Sequence, residues 1–302
     1  MIELINVSKR YVRNSTMAVQ DVSFSVSNGE IMGFAGLNGA GKTTTIKISA
    51  GVMFPSSGNV LIDNVDIIEM KRTAALNVAW VPESPIFDVT QKPRDLFLEF
   101  GSYFGMSREV RKEKMNAVMS EVGLEEHLDH RIRTFSDGMR KRFMIALSLF
   151  QDPKNYLLDE TFNGLDPEGI RFLKKILTRL KREGKSVLLS SHLLGEFEGL
   201  ADRIAIIHKG HIIDISSVAE IQRYKFVEVE CRGNRTEVRD VLDRFGEVSE
   251  CGGTVILRMN SDNSDIISEI SKIVSGKELS ILNIREYKND LEGHFFWQIY
   301  KI

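Results

Sequence analysis

The sequence predicts an α/β fold with a central parallel sheet, followed by a small α+β unit at the C-terminal end. Three observations predict it. A glycine-rich loop, 36–44, follows a short apolar run and precedes a helix-compatible segment. A fully apolar run, 156–158, ends in two carboxylates, which is typical of a buried strand in a parallel sheet. From residue 223 onward, the predicted order is strand, helix, two strands, helix and strand.

Length, charge and cysteine content narrow the class of protein. At 302 residues, the chain is long enough for two domains. Its net charge of −2 gives no general attraction to nucleic acid, which we therefore do not expect as a partner. No apolar run approaches the roughly 18 residues of a membrane span, and the first residues lack the layout of a signal peptide. With two cysteines, too few for a zinc site or a disulfide framework, we expect a cytoplasmic protein.

The glycine-rich loop fits the pattern G-x-x-x-x-G-K-[ST], which binds phosphate. It consists of Gly36, Leu37, Asn38, Gly39, Ala40, Gly41, Lys42, Thr43 and Thr44. Glycines let the backbone curl so that its N–H groups point at phosphate oxygens, and the following helix N-terminus adds unpaired donors. We expect Lys42 to reach the β- and γ-phosphates and the Thr43 hydroxyl to bind Mg²⁺. The core is therefore predicted to be that of a P-loop NTPase.

The first strands alternate apolar and polar residues, as half-buried strands do, over 2–7 and 17–26. Tyr11 lies in their connection, where it either stacks on a nucleotide base or is a surface tyrosine. Residues 27–30 are typical of a hairpin turn between Val26 and Ile31. A further strand pair is predicted over 59–67, broken at 63–64.

The middle of the chain is predicted to present Glu83 on a loop, because Pro82 and Pro85 can continue neither a helix nor the centre of a sheet. A short strand over 78–81 precedes that loop. Residues 94–130 are predicted to be helical throughout. Their apolar stripe indicates a core face, with a docking face for a partner helix as the alternative; it comprises Leu96, Phe97, Phe100, Tyr103 and Phe104.

Polar residues at two strand ends predict a catalytic edge. Asp159 and Glu160 follow the apolar run 156–158, and the carboxyl ends of such strands lie beside the phosphate loop in a doubly wound sheet. Asp159 would then bind Mg²⁺ and Glu160 would polarise the attacking water. His192 ends the next apolar strand, 185–190, at the same edge. Taken alone, acidic residues or a histidine at a strand end are usually structural.

Helix starts supply two further features. Ser136 is a plausible N-cap of a helix running to about residue 150, and such a start also binds anions. Residues 163–167 form a predicted turn, after which Pro167 opens another helix. A hairpin around Gly210 completes this part of the chain.

The ordered set of motifs resembles the nucleotide-binding subunit of ATP-binding-cassette (ABC) transporters over residues 1 to about 222. The loop 36–44 is similar to Walker A and 156–160 to Walker B with its catalytic glutamate. Residues 135–139 are similar to the signature Leu-Ser-Gly-Gly-Gln, and 163–166 to the D-loop. His192 takes the place of the switch histidine and Tyr11 that of the base-stacking aromatic. The resemblance implies an antiparallel β subdomain and a helical signature subdomain beside the P-loop core.

Several residues depart from the family pattern. Glu83 stands where most members have the Q-loop glutamine, which points to the drug- and antibiotic-export branch, and its oxygens still suit Mg²⁺. Leu37 and Thr161 each replace a proline. In the signature, Met139 replaces the glutamine and Asp137 a glycine. Because a carboxylate repels a polyphosphate, we expect Asp137 to weaken ATP-driven closure.

The resemblance implies that two subunits, identical or related, pack head to tail and hydrolyse ATP with Mg²⁺ at the interface. Lys42, Glu160 and His192 are the expected catalytic residues, and Thr43, Glu83 and Asp159 the expected metal ligands. ATP contacts are expected from Tyr11, the whole loop 36–44 and, from the opposite subunit, Ser136, Gly138, Met139 and Asp166. The motion would pass to separate transmembrane permease subunits through the region 83–104. The protein would then lie on the inner face of the cell membrane, and the direction would be export.

Two other function classes compete with this interpretation. A soluble ABC ATPase acting on ribosomes or DNA usually has two cassettes, long inserted helices or strong basic patches, none of which is visible. A P-loop kinase is disfavoured by the signature, the D-loop and His192. The predicted domains are 1–222, the ATPase, and 223–302, an accessory unit, possibly ferredoxin-like, that regulates or stabilises it. Residues 289–296 resemble the Leu-Glu…Phe tail of export-type subunits.

Overall fold

The structure, a computed structural model, describes residues 1–11, 16–232, 235–251, 254–260, 280–287 and 290–301. Its strands are β1 (Ile2–Arg10), β2 (Met17–Val26), β3 (Ile31–Ala35), β4 (Ser57–Ile62), β5 (Val65–Asp66), β6 (Val78–Val81), β7 (Asn155–Asp159), β8 (Ser186–Ser191), β9 (Arg203–His208), β10 (His211–Ser217), β11 (Tyr224–Arg232), β12 (Glu247–Cys251), β13 (Thr254–Asn260) and β14 (Ser280–Glu286). Its α-helices are α1 (Lys42–Ser49), α2 (Lys71–Ala75), α3 (Pro93–Tyr103), α4 (Arg108–Glu121), α5 (Asp137–Gln151), α6 (Pro167–Arg182), α7 (Val218–Ile221), α8 (Arg235–Leu242) and α9 (Asp290–Tyr300).

The central sheet has the order β10-β9-β3-β8-β7-β6, in which all neighbours are parallel except β10 and β9. Every residue of β3, β7 and β8 is buried, which is why these strands are uniformly apolar in their middle. Ala35 pairs with Ser191, and Asp159 pairs with Ser190. The segments that follow β3, β7 and β8 therefore leave the sheet at one edge. The predicted α/β fold is confirmed.

The antiparallel sheet has the order β2-β1-β4-β5. The predicted break in the pair β4–β5 is confirmed: Asp63 and Asn64 both have positive φ angles, 51° and 63°, as a tight hairpin turn requires. The hairpin predicted over 27–30 is wrong. The chain does turn there, but β2 belongs to this sheet and β3 to the central one. The carbonyl of Glu30 already accepts from Val187, so the chain joins the parallel sheet as soon as it has turned.

The prediction of one helical stretch over 94–130 is also wrong, because α3 and α4 are separate helices. Gly105 has a φ of +66°, a left-handed conformation that ends α3. Ser107 then caps α4 by accepting from the Val110 amide. The apolar stripe lies on α3 and its C-cap Phe104, and it is only partly buried: Phe97 is fully buried against Phe143 and Phe150, whereas Tyr103 is 71% exposed.

The predicted helix starts of the second half are confirmed. Ser136 is the N-cap of α5, and its hydroxyl accepts from the Met139 amide. Asp166 is the N-cap of α6, with Pro167 at the first helical position. The predicted hairpin β9–β10 turns at Lys209 and Gly210, both at positive φ.

The C-terminal sheet has the order β12-β13-β11-β14, which is the strand order of a ferredoxin-like unit. The helix predicted over 263–275 and Asn289 of the predicted tail lie outside the described residues. Helix α9 contains most of that tail, and its Leu291 and Phe295 share one apolar core with Phe197 and Leu200. The core is thus continuous across the predicted boundary at 222, and the division into two domains stays a prediction. Within the described ranges, no helix is long and apolar enough to cross a membrane.

Candidate functional site

A cleft of about 620 Å³ lies at the edge where β3, β7 and β8 end. It is lined by Tyr11, Thr16, Met17, Ala18, Asn38, Gly39, Gly41, Lys42, Thr43, Thr44, Glu83, Glu160, Asn163 and His192. The lining combines the glycine loop with residues from the ends of β7 and β8, which are more than a hundred positions away in sequence. This convergence is the one expected from a parallel sheet.

The glycine loop has a backbone that only glycine accommodates without strain. Gly39 and Gly41 have φ angles of +80° and +116°. A Cβ at Gly36 would lie 2.6 Å from the carbonyl oxygen of Ile207, and one at Gly41 would lie 2.7 Å from that of Ala18. Helix α1 starts at Lys42, within the loop 36–44, and has no side-chain cap. Its first amides can therefore donate to an anion in the cleft.

Lys42 is buried, with 5% of its side chain exposed. Its Nζ donates to the carbonyl oxygens of Gly36 at 2.7 Å and Leu37 at 3.4 Å. It also forms an ion pair with Glu160 Oε1 at 3.1 Å. These contacts hold the ammonium group over the loop, at the place where phosphate oxygens would meet it.

Thr43 lines the cleft and contacts Asp159, which is 1% exposed and is not part of the lining. Thr43 Oγ1 donates to Asp159 Oδ1 at 3.2 Å, and Ser190 Oγ donates to the same atom at 2.8 Å. Burial raises the pKa of Asp159; the two hydroxyl bonds oppose the shift, and the charges of Glu160 and Glu83 add to it. A cation would relieve this crowding of carboxylates. Oxygen donors of this kind fit Mg²⁺, which is bound by one or two carboxylates together with the substrate's phosphates.

Glu160 lies at the centre of the site and is 6% exposed. Its Oε2 accepts from Asn163 Nδ2 at 3.2 Å and lies 2.9 Å from His192 Nδ1. Burial alone would raise the pKa of this carboxyl, but the bond to His192 and the charge of Lys42 outweigh it and lower the pKa. Glu160 is therefore ionised and can accept a proton or orient a water molecule.

The backbone of Glu160 is also unusual, with a φ of +47° in the left-handed region. Its amide donates to both the carbonyl oxygen and the hydroxyl of Ser190, at 3.2 and 3.0 Å. Ser190 thus fixes both Asp159 and Glu160 from the neighbouring strand. Sequence reasoning missed Ser190 and Asn163. The sequence signals that could have found them are the position of Ser190 near the end of β8 and that of Asn163 in the turn after β7.

Asn163 of the predicted D-loop lines this cleft, whereas Ser136, Gly138, Met139 and Asp166 do not. Ser136 and Asp166 act as N-caps within their own chain, and Asp166 Oδ1 lies 4.0 Å from Arg142 Nη2. Asp137 pairs with Arg140 Nη1 at 2.8 Å. The cleft of a single chain is therefore formed without Ser136, Gly138, Met139 or Asp166.

Tyr11 does border the cleft and is 37% exposed. Its hydroxyl lies 3.1 Å from Thr44 Oγ1. The partly exposed ring therefore stands beside the phosphate loop, and Lys9 Nζ lies over it at 5.9 Å from the ring centroid.

Comparison with known proteins identifies the class of molecule that this fold and cleft define. The family model described as ABC transporter matches residues 19–163. An uncharacterised ABC transporter ATP-binding protein of Bacillus subtilis (strain 168) is 35% identical over 301 residues, covering 98% of this chain and 94% of that protein. The chain belongs to the ABC transporter ATP-binding proteins. It is an ATP-binding subunit of that family and an ATPase.

Other relatives agree with this assignment. The Nod factor export ATP-binding protein I of Burkholderia lata is 31% identical, covering 86% of each chain. A solved ATP-binding subunit of an ABC transporter has a TM-score of 0.68 at 30% identity, covering 74% of this chain and 92% of that one. A post-hydrolysis dimer of an ATP-binding cassette bound to ADP and Pi has a TM-score of 0.63 at 23% identity, a likeness of fold.

Proposed function

We propose that this subunit works as a head-to-tail dimer that closes on ATP, hydrolyses it with Mg²⁺ and drives separate membrane subunits. The observation that carries the proposal is the convergence of Lys42, Glu160 and His192 on one cleft, with the signature residue Ser136 outside it. In this proposal, the cleft of one chain contains the hydrolytic groups but lacks the signature, and it is therefore one half of a shared site. The second half comes from the opposite subunit, identical or related.

Phosphate binding falls to the loop 36–44. In this proposal Lys42 exchanges its ion pair with Glu160 for the β- and γ-phosphates, while the loop amides and the start of α1 surround the remaining oxygens. Thr43 and Asp159 would hold Mg²⁺, with Glu83 as a further oxygen donor at the cleft. When bound, the metal neutralises charge on the phosphate oxygens.

Hydrolysis depends on Glu160 and His192. Release of Lys42 towards the phosphates leaves the ionised Glu160 carboxylate free on its Oε1 side, where it can orient a water molecule in line with the γ-phosphate. His192 remains bonded to Oε2 and reaches the γ-phosphate from the same edge. Asn163 holds the carboxylate from the other side.

Closure brings the opposite subunit's signature onto the nucleotide. Ser136 and Gly138 offer a hydroxyl and backbone amides at the start of α5, where an anion is favoured. Met139 and Asp166 complete the contacts from that side, and Tyr11 stacks on the base. Closing the cleft also expels water from the reacting groups.

Coupling to the membrane subunits is proposed to use an apolar groove of about 300 Å³ beside the Glu83 loop. It is lined by Trp80, Ile86, Leu96, Phe100 and Leu147, among others, and Ile86 is 72% exposed. Most of these residues lie in or next to the region 83–104. Such a groove suits the apolar face of a short helix from a membrane subunit. The subunit would then lie on the inner face of the cell membrane.

Export is the proposed direction of transport. Two features support it: Glu83 at the Q-loop position and the similarity to the Nod factor export ATP-binding protein I of Burkholderia lata.

The variant Glu160→Gln tests the proposal. It preserves the shape and hydrogen bonding of the side chain but removes the charge that orients the water. We expect it to bind ATP, to lose turnover by at least about a hundredfold, and to accumulate as an ATP-bound dimer in sedimentation velocity. Glu168→Gln, an exposed carboxylate in the first turn of α6, is the control and should behave as the wild type. Turnover that persists in Glu160→Gln would show that the water is oriented by another group.

A further inference from the structure

Lys141 is a buried cation next to the catalytic edge that the mechanism above does not use. It lies on α5, five residues after the N-cap Ser136, and is 8% exposed. Among the described residues, Lys42 and Lys141 are the buried lysines. A buried ammonium group loses its hydration and is retained only where something around it compensates.

The compensation comes from the site itself. Lys141 Nζ donates to the backbone carbonyl oxygen of Glu160 at 3.3 Å. Burial lowers the pKa of Lys141, while the charges of Glu83, Asp159 and Glu160 act in the opposite direction. Lys141 is outside the lining of the nucleotide cleft and lines a neighbouring cavity of about 600 Å³ together with Glu83 and Asn163, which both cavities share.

The carbonyl that Lys141 holds belongs to the strained residue of the site. Glu160 has its left-handed φ of +47°, which a side chain rarely adopts without support. Ser190 fixes the amide of Glu160 from β8, and Lys141 fixes its carbonyl from α5. Between them, the residue is held on both sides, and the direction of its carboxylate is set.

We infer that Lys141 is a positioning residue for Glu160 and joins the signature helix to the water-orienting carboxylate of the same chain. This rests on the proposed function. In the head-to-tail dimer, Ser136 at the start of α5 contacts the ATP of the opposite subunit. Lys141, on the same helix, contacts the glutamate of its own site. Binding of the signature to the nucleotide in one site is thereby coupled to the position of Glu160 in the other site.

Steady-state ATP hydrolysis by the full chain tests the inference with Lys141→Met, which keeps the unbranched side chain, one atom shorter, but removes the charge and the donor. We expect kcat to fall by about tenfold to a hundredfold while KM for ATP changes by less than about threefold, as for loss of positioning alone. Lys141→Arg keeps charge and donor and should recover part of the lost kcat. Lys175→Met, an exposed lysine on α6, is the matched control and should equal the wild type.

A second measurement separates positioning from folding and from ATP binding. In the Glu160→Gln background, Lys141→Met should still form the ATP-dependent dimer, because the phosphate contacts are intact. An apolar side chain in place of a buried charge need not destabilise the fold, so thermal melting should be close to wild type. Should Lys141→Met fail to fold, Lys141→Leu, which also lacks charge and donor, replaces it in both measurements.

Three outcomes would overturn the inference. They are wild-type kcat in folded Lys141→Met or Lys141→Leu, a rise in KM that matches the loss of kcat, and activity of Lys141→Arg no higher than that of Lys141→Met. An inactive wild type would instead contradict the proposed function. Wild-type turnover that is abolished by Glu160→Gln but unaffected by Lys141→Met would leave the proposed function standing and remove this inference alone.

Discussion

Asp137 is the residue at which the signature departs most from the family pattern, and it has a partner. Arg140 Nη1 donates to Asp137 Oδ1 at 2.8 Å, and Nη2 donates to the carbonyl oxygen of Arg133 at 3.2 Å. The guanidinium group offsets the carboxylate that would otherwise repel a polyphosphate. The start of α5 therefore remains suited to an anion despite the acidic residue.

This pairing makes a prediction about ATP-driven dimerisation, measured by sedimentation in the Glu160→Gln background. We expect Arg140→Ala to weaken the dimer and Asp137→Gly to strengthen it, each by roughly threefold to tenfold in the dissociation constant. The reason is the charge that each change leaves beside the partner's γ-phosphate. The double variant leaves neither charge there and should therefore lie between the two single variants, close to the wild type.

Arg108→Ala, an exposed arginine at the start of α4, is the control for loss of positive charge and should leave the dimer unchanged. Unchanged dimerisation in Asp137→Gly would show that this carboxylate does not influence closure.

The sequence alone predicts the positions of the site residues that lie at strand ends. Lys42, Asp159, Glu160 and His192 were predicted to meet because parallel strands end at one edge, and their contacts confirm the meeting. Ser190 and Lys141 were missed, because their roles depend on distances between elements that no local pattern encodes. A lysine within a charged helix and a serine within an apolar strand are both ordinary in sequence.

At the scale of elements, helix α9 is fastened to the rest of the chain by a buried polar pair. His294 is 4% exposed, and its Nε2 lies 2.8 Å from Asp214 Oδ2 on β10. Around this pair, Trp297 packs against Phe226 of β11. A specific hydrogen bond inside an apolar interface fixes where α9 docks.

We predict that Asp214→Ala lowers the free energy of unfolding by about 1–3 kcal/mol, because it leaves the buried His294 without an acceptor. Asp214→Asn keeps an acceptor and should lose less. Asp243→Ala, which breaks an exposed pair with Arg239, is the control and should have little effect. Urea denaturation gives the three values, and equal losses in all three variants would contradict the assigned role.

The same pair predicts a dependence on pH. Burial alone would raise the pKa of Asp214, but the hydrogen bonds from His294 and Ser216 hold it below its ordinary value of 3.8. A lowered folded pKa contributes stability that is complete above the unfolded value and is lost as pH falls through the folded one. The advantage of wild type over Asp214→Ala should therefore persist above pH 3.8 and shrink below it. An advantage that grows with acid would contradict this.

Two predictions about elements are wrong, the hairpin over 27–30 and the single helical stretch over 94–130. The turn at 27–30 was recognised, but a turn does not reveal which sheet the next strand joins, and β3 joined the parallel one through Val187. The break between α3 and α4 was present in the sequence as Gly105 followed by the N-cap Ser107. The charged, periodic residues on both sides concealed it.

At the scale of the whole molecule, the hydrolytic groups lie together at one edge of the central sheet, whereas the signature residue Ser136 lies at the start of α5, outside that cleft. The cleft holds the phosphate loop, Glu160 and His192, while Ser136 lies outside its lining. In the proposed dimer, a single chain would therefore supply the hydrolytic groups of one site and the signature of the other. The account depends on two chains exchanging these halves.

Mixing two variants that are each inactive tests this exchange most directly. Lys42→Ala disables the phosphate loop, and Ser136→Arg, with a bulky side chain at the start of α5, disables the signature. If sites are shared, a mixed dimer combines the intact loop of one chain with the intact signature of the other, and one working site results. We predict that ATP hydrolysis, absent from either variant alone, reappears when they are mixed. A mixture that remains inactive at concentrations where the wild type is a fully active dimer would contradict the account.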